Sequence, residues 1–286
     1  MFESEQYELV DFGEGRRLER FGPYLIDRPC PAATSVRPME PSRWKDADCR
    51  YTRVDRQRGK WKRVGSAPDT WQVRHGDACF AARLTPPGQV GLFPEQAENW
   101  DWLRQQVRRS DQPLRVLNLF AYTGGSTLAA AAAGAEVTHI DAAANVVKWA
   151  RSNAELSGLA EAPIRWITED ARKFVQREIK RGNQYQGIIL DPPSYGHGPH
   201  GEGWKIQDDL LPLLRACGQL CRDQLRIVLL TCHSPGFGAA ELEACLMDTL
   251  WGHCQAGVIA RTLYLRTADG RRLPSGTVAR WPSLSS

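Results

Sequence analysis

The hydrophobic rhythm of the chain changes near residue 112. Before it, apolar runs are short and broken by turns. YELVDFG is followed by GRRLERFGPYLIDRP, with Gly22-Pro23 as the break, and TWQVRHGDACFAARL comes later. Such alternation predicts β-strands. Residues 30–45, rich in proline and polar side chains, predict a loop, and VGLFPEQAENWDWLRQQVRRS predicts a helix starting near Pro94. After residue 112, strand and helix patterns alternate. LRVLNLF is a continuous apolar run that suits a strand buried on both faces. STLAAAAAG predicts a helix capped by Ser126 and ended at Gly134. AEVTHID, PIRWITED, YQGIILDPPS and LRIVLLTCHS predict four more strands. AANVVKWARSNAELSG, ARKFVQREIKRG, IQDDLLPLLRACGQLC and AAELEACLMDTLWG predict helices, the third interrupted early by Pro212. Residues 257–282 predict two final strands around a DGRR turn. The sum is an α/β fold: a Rossmann-like, mostly parallel seven-stranded sheet whose last strand is antiparallel, with helices on both faces. A small β-rich domain, residues 1–92, precedes a larger domain, residues 93–286.

Composition narrows the class without deciding it. The 286 residues are 42% hydrophobic and 24% charged, as in globular proteins. The longest apolar run, around Leu128 to Ala135, is too short to span a bilayer, so no membrane association is expected. The acidic start, MFESEQYELVDFGEG, has no apolar signal core, which points to the cytoplasm. The eight cysteines contain no CxxC pair; Cys217 and Cys221 share a helix face, and most thiols are expected to be buried in a reducing compartment. No metal site is expected. The net charge of +4 is too mild to demand nucleic acid by itself. The charge is uneven, however. RYTRVDRQRGKWKR, residues 50–63, carries seven Lys/Arg and one acid with Tyr51 and Trp61 among them. This mixture suits phosphate neutralisation with base stacking, or else a solvated hairpin face.

Ligands of open α/β sheets bind outside the carboxyl ends of the strands. The predicted ends carry Asn118-Leu119-Phe120-Ala121-Tyr122-Thr123-Gly124-Gly125, then Asp141, then Glu169-Asp170, then Asp191-Pro192-Pro193-Ser194-Tyr195, then Thr231-Cys232-His233-Ser234. The glycine pair allows a tight turn close to a ligand. Asp141, 17 residues after Gly124, can accept both hydroxyls of a ribose. Asp170 can accept from an adenine amine. The loop after the first strand, NLFAYTGGST, lacks the GxGxxG spacing of dinucleotide sites, and the GxxxxGK[ST] of P-loops is absent from the sequence. A cofactor with adenosine and no phosphates fits: S-adenosylmethionine.

VLNLFAYTGGSTLAAAAAGAEVTHIDAA resembles the first two motifs of class I S-adenosylmethionine-dependent methyltransferases. The FxYTGG form, ILDPPSYGHG and GLFPEQ resemble the branch of bacterial 23S rRNA cytosine-C5 methyltransferases. The resemblance covers roughly residues 88–255. It implies that Phe120, Tyr122, Thr123 and Gly124 surround the methionine part of the cofactor, that Asp141 holds the ribose and that Asp170 holds the adenine. It also implies that Asp191 and Pro192, with Pro193, line the meeting point of methyl donor and target, and that Phe93 and Gln96 close the pocket from the side. RNA, ribosomal RNA first, becomes the expected partner. A protein or small-molecule substrate, or an inactive RNA-binding relative, is the alternative. The sequence says nothing about oligomeric state.

Two departures stand out. Full members of that branch carry an N-terminal PUA module, whereas the stretch ahead of GLFPEQ reads as a small β domain. Their nucleophilic cysteine lies in an SCS-like segment after strand five. Here alignment on Ser234 puts His233 in that place, and a one-residue slip puts Cys232 there. Cytosine C5 needs a thiolate added to C6, so the choice decides the chemistry. Cytosine C5 through Cys232 is the favoured route; the alternative is direct transfer to a nitrogen or oxygen, with Asp191 accepting the proton or positioning the target and His233 assisting. Cys232, Asp191 and His233 are the candidate catalytic residues.

Overall fold

A computed structural model describes residues 2–55, 59–65, 67–250 and 257–282. They divide into two compact units: Met1–Ala97 with Tyr264–Ser275, and Glu98–Leu263 with Gly276–Ser286. Part of the C-terminal hairpin thus belongs to the N-terminal unit.

The N-terminal unit contains β1 (Tyr7–Gly13), β2 (Arg16–Phe21), β3 (Tyr24–Pro29), β4 (Cys49–Arg53), β5 (Gly59–Arg63), β6 (Thr70–His75) and β7 (Ala78–Arg83). The first five form one sheet in sequence order, antiparallel except for β3 and β4. β6 and β7 pair separately. The expected loop at 30–45 contains two short 3-10 turns, Pro31–Ala33 and Arg43–Asp46. Buried charges knit this unit together. Asp11 is fully buried; it accepts from the backbone N–H groups of Phe12, Met39 and Glu40, from Trp44 Nε1 and from Arg271. Glu19 accepts from Tyr7 Oη at 2.9 Å and from Arg28 Nε at 2.5 Å. Arg17 Nε adds an ion contact to Glu19 at 3.0 Å without hydrogen-bond alignment.

The basic segment 50–63 folds as the β4–β5 hairpin; residues 56–58 lie outside the described residues. Arg50 faces Lys62 and Thr52 faces Lys60, so an exposed cationic face forms. Of the two readings the sequence left open for this segment, base stacking by its aromatics is disfavoured. Tyr51 is buried and donates to Pro86 O, and half-buried Trp61 donates to Thr85 O while its ring meets Tyr51 edge-on at 4.9 Å. Strand alternation turns these rings to the inner face, leaving Arg50, Thr52, Lys60 and Lys62 outside. Arg50 is moreover tied to buried Asp27 at 2.6 Å.

The second unit begins with most of α1 (Ala97–Arg108). It continues with β8 (Arg115–Leu119), α2 (Gly125–Ala132), β9 (Glu136–Asp141), α3 (Ala144–Leu156), β10 (Ile164–Thr168), α4 (Ala171–Arg181) and β11 (Gly187–Leu190). A small hairpin, β12 (Tyr195–His197) with β13 (Gly203–Lys205), precedes α5 (Ile206–Cys221), β14 (Ile227–Cys232) and α6 (Ala239–Thr249). Strands β15 (Ile259–Arg266) and β16 (Arg272–Trp281) complete a seven-stranded sheet ordered β10-β9-β8-β11-β14-β16-β15. The first five run parallel and β16 runs antiparallel to β14. Leu117, Leu119, Ile188, Leu190, Val228 and Leu230 bury one face of the central strands in a core shared with α4, α5 and α6.

Two helix details differ from expectation. α2 starts at Gly125 with Gly124 as its N-cap, so Ser126 is not the cap. Gly124 has φ 92°, a left-handed conformation that favours glycine. α5 runs through Pro212 without interruption. The proline forfeits one helical hydrogen bond, but the buried stripe of Leu210, Leu213, Leu214, Cys217, Leu220 and Cys221 keeps the helix packed.

Candidate active site

Strands β10, β9, β8, β11 and β14 are parallel neighbours, so their carboxyl ends lie side by side. Chain order reverses between β8 and β11, and a crevice is expected at such a switch point. The loop after β8 lies there. Phe120, Tyr122 and Gly124 all have positive φ, at 56°, 48° and 92°. For the two aromatic residues this costs on the order of 1–3 kcal/mol each, a strain typical of ligand clamps.

The loop is held from three sides. Asp141 Oδ2 accepts from the Tyr122 N–H at 2.9 Å and its Oδ1 accepts from the Ala143 N–H at 3.0 Å. Buried Asn153 on α3 donates from Nδ2 to Thr123 O at 2.9 Å. Beneath, Asn118 donates to Thr127 Oγ1, which lies 2.9 Å from His139 Nδ1, fastening α2 to β8 and β9. Burial pushes the pKa of His139 down to about 3, so this imidazole is neutral. A Cβ on Gly125 would sit 2.4 Å from the Trp100 ring, so only glycine lets the start of α2 pass this indole. Asn153, His139 and Trp100 escape a motif reading because their partners lie on other elements, and Asn118, though placed at the first strand end, shows its partner only in the fold.

The acids at the strand ends differ in how many acceptor sites they keep. A carboxylate has about four. Asp141 accepts from the N–H groups of Tyr122 and Ala143, with the Ala142 N–H also directed at it, forms no ion pair among the described residues, and its carboxyl pKa is pushed up by burial. With no cation to neutralise it, acceptor capacity stays available for a diol. Asp170 is busier than expected. It caps α4 by accepting from the N–H groups of Arg172 and Lys173, and it pairs with the Arg172 guanidinium at 3.2 Å. Asp191, half-buried, ends β11 beside the loop, followed by buried Pro192. Phe93 and Gln96 fall in the N-terminal unit, at a 3-10 turn (Pro94–Gln96) with Phe93 as its N-cap.

The end of β14 separates the two nucleophile candidates. Cys232 is 1% exposed and belongs to the hydrophobic cluster of α5 and α6, with Val228 and Leu230 on its side of the strand. Burial pushes its thiol pKa up, and the nearby Asp191 carboxylate adds to this, outweighing the hydrogen bonds from Ser234. Both effects disfavour a thiolate. The expected nucleophile is therefore placed as a core residue. His233 is exposed, and its ring passes over Gly276, where a Cβ would sit 2.6 Å from Cε1. Ser234 is the residue that meets the DPPS segment: its Oγ lies 2.6 Å from Ser194 Oγ.

The comparisons agree with this geometry. Residues 44–235 match the S-adenosylmethionine-dependent methyltransferase family. A crystal structure of a SAM-dependent methyltransferase from Agrobacterium tumefaciens is 39% identical, with a TM-score of 0.91 over 97% of this chain and 90% of that one. Ribosomal RNA large subunit methyltransferase K/L of Pseudoalteromonas atlantica is 33% identical over 56% of this chain and 22% of its own length. Ribosomal RNA large subunit methyltransferase K of Neisseria meningitidis serogroup B is 28% identical over 58% of this chain and 45% of its own. The chain thus spans less than half the length of these two curated relatives. Among the described residues no helix is long and apolar enough to cross a membrane. With the family match covering most of the chain and the strained loop, Asp141 and Asp191 set at adjacent strand ends, the chain belongs to the S-adenosylmethionine-dependent methyltransferase family.

Proposed function

We propose that this protein transfers a methyl group from S-adenosylmethionine to RNA, directly to a nitrogen or oxygen and without a cysteine adduct. The observation that carries the reading is the register at the carboxyl edge: Phe120–Gly124, Asp141, Asp170 and Asp191–Ser194 follow four neighbouring strands. When bound, the cofactor supplies an electrophilic methyl group on a sulfonium. Asp141 holds the ribose hydroxyls with its remaining acceptor capacity. Tyr122, Thr123 and Gly124 wrap the methionine end, and the N–H groups of the first turn of α2, which has no side-chain cap, suit its carboxylate. Asp170 Oδ1 is taken up by the Arg172 and Lys173 N–H groups and Arg172 Nε, whereas Oδ2 accepts one bond, from Arg172, and its second lone pair serves the adenine amine. Asp191 accepts the proton released by the target group, or orients that group, with His233 assisting from the next strand end.

RNA is supported by the names of the curated relatives and by the cationic face of the β4–β5 hairpin, where Lys60 and Lys62 are exposed. Large-subunit ribosomal RNA is the first substrate to test. Direct transfer is supported by Cys232, whose burial and raised pKa suit packing better than attack.

Methyl transfer from labelled cofactor to total RNA and to total protein, both from cells lacking the enzyme, tests the substrate. Label in RNA is expected. Asp191→Asn is expected to lose about a hundredfold or more in rate while cofactor binding persists. Cys232→Ser is expected to stay active. An inactive Cys232→Ser enzyme, together with a trapped covalent complex on a C5-reactive cytosine analogue, would establish the thiol route instead.

A further inference from the structure

Resting on the RNA reading above, we infer that the outer face of the β12–β13 hairpin is the seat of the nucleotide presented to the active site, with Tyr195 as its stacking surface and Lys205 as its phosphate contact. Tyr195 follows the DPPS segment directly and is 72% exposed, the most exposed large hydrophobic side chain among the described residues. Register sets Tyr195 opposite Lys205 and His197 opposite Gly203. Tyr195, His197 and Lys205 are all exposed, while Trp204, between the last two positions of the pairing, is buried. One face of the hairpin thus presents an aromatic ring, an imidazole and an ammonium, and the other is anchored.

The anchoring separates this hairpin from an ordinary surface loop. Trp204 Nε1 donates to Pro193 O at 2.7 Å, and its ring packs 4.7 Å from Phe120 of the strained loop. The hairpin therefore touches both halves of the proposed site, the cofactor loop through Phe120 and the DPP segment through Pro193. Arg172 lies over the Trp204 ring and donates to Gly203 O at 2.8 Å and to Asp209 Oδ1 at 2.7 Å. Asp209 Oδ2 in turn accepts from the Lys205 N–H at 2.8 Å, and Lys173 pairs with Glu202. A tyrosine has only two side-chain torsions to fix on stacking with a base, and every base offers a face to stack on. Among the described residues, neither the Tyr195 ring nor the Lys205 ammonium has a hydrogen-bond, ion-pair or ring partner.

The test uses the full-length protein with S-adenosylhomocysteine and a short single-stranded RNA carrying 2-aminopurine. Fluorescence quenching on binding reports stacking, and anisotropy at several salt concentrations reports affinity. Tyr195→Ala is expected to weaken binding about tenfold and abolish quenching, whereas Tyr195→Phe keeps both. Lys205→Gln is expected to lower the slope of log affinity against log salt by about 0.7. Calorimetry with S-adenosylhomocysteine alone should be the same for all variants, which excludes misfolding. If the wild type binds RNA with quenching that Tyr195→Ala retains, the hairpin assignment is overturned and the RNA reading stands. If the wild type binds no RNA and labels protein instead, both are overturned.

Discussion

The two units bury carboxylates in opposite ways. In the N-terminal unit, Asp11 receives five donors, including the Arg271 guanidinium, and Glu19 is shared by Tyr7, Arg28 and Arg17. Burial raises both pKa values, but the donors outweigh it and hold both carboxyls below their ordinary range. In the second unit, Asp141 receives backbone N–H groups and, among the described residues, no cation, and its carboxyl is pushed up by burial. A saturated carboxylate has no capacity left for a ligand and serves the fold. An unsaturated one carries a standing cost that a ligand relieves, the signature of a binding site.

Replacing each acid tests this contrast. The largest effect is expected at Glu19. Glu19→Gln leaves buried Arg28 and Arg17 without their counter-charge and should cost about 3–5 kcal/mol in denaturant unfolding. Loss below about 1 kcal/mol would show that the network is dispensable. Asp141→Asn should act mainly on the ligand. The amide NH2 then faces the N–H of Tyr122 or Ala143, a cost partly offset by removal of a buried charge, so the apo protein should lose less stability than Glu19→Gln does, while affinity for S-adenosylhomocysteine falls about tenfold or more by calorimetry. A destabilised apo protein with unchanged affinity would erase the distinction.

Acid should separate the units as well. For Asp11 and Glu19 the folded pKa is depressed, so their stabilisation is full above the unfolded carboxylate pKa of about 4 and is lost as pH falls through the folded values. For Asp141 the folded pKa is raised, so protonation relieves a cost and stability rises as pH falls through it. Below about pH 4, hydrogen exchange should accelerate in β1–β3 before β8–β11. The reverse order would contradict the assignment. The smallest effect is expected at Asn153→Ala, which removes the bond to Thr123 O: about 1 kcal/mol of stability and a few-fold loss of cofactor affinity.

Much of the second unit was legible in the sequence because its chemistry is local. Continuous apolar runs give strands buried on both faces, and polar strand ends fall on one edge of a parallel sheet whatever the details of packing. Asp141 and Asp191 could therefore be located from order and spacing alone. The sequence also determined that a basic segment exists at 50–63. It did not determine which way the rings of Tyr51 and Trp61 point, because that depends on which face of β4–β5 meets the rest of the unit. The same held at Cys232. A shift of one residue along a strand exchanges core and site, and only packing against α5 and α6 places Cys232 in the core and brings Ser234 to Ser194. Tertiary structure alone likewise decided that Asp170 caps α4, that Trp204 anchors a hairpin beside the loop, and that Asp11 meets Arg271 across 260 positions of chain. Strand period and strand-end position are properties of short segments, whereas the saturation of a carboxylate is a property of everything folded around it.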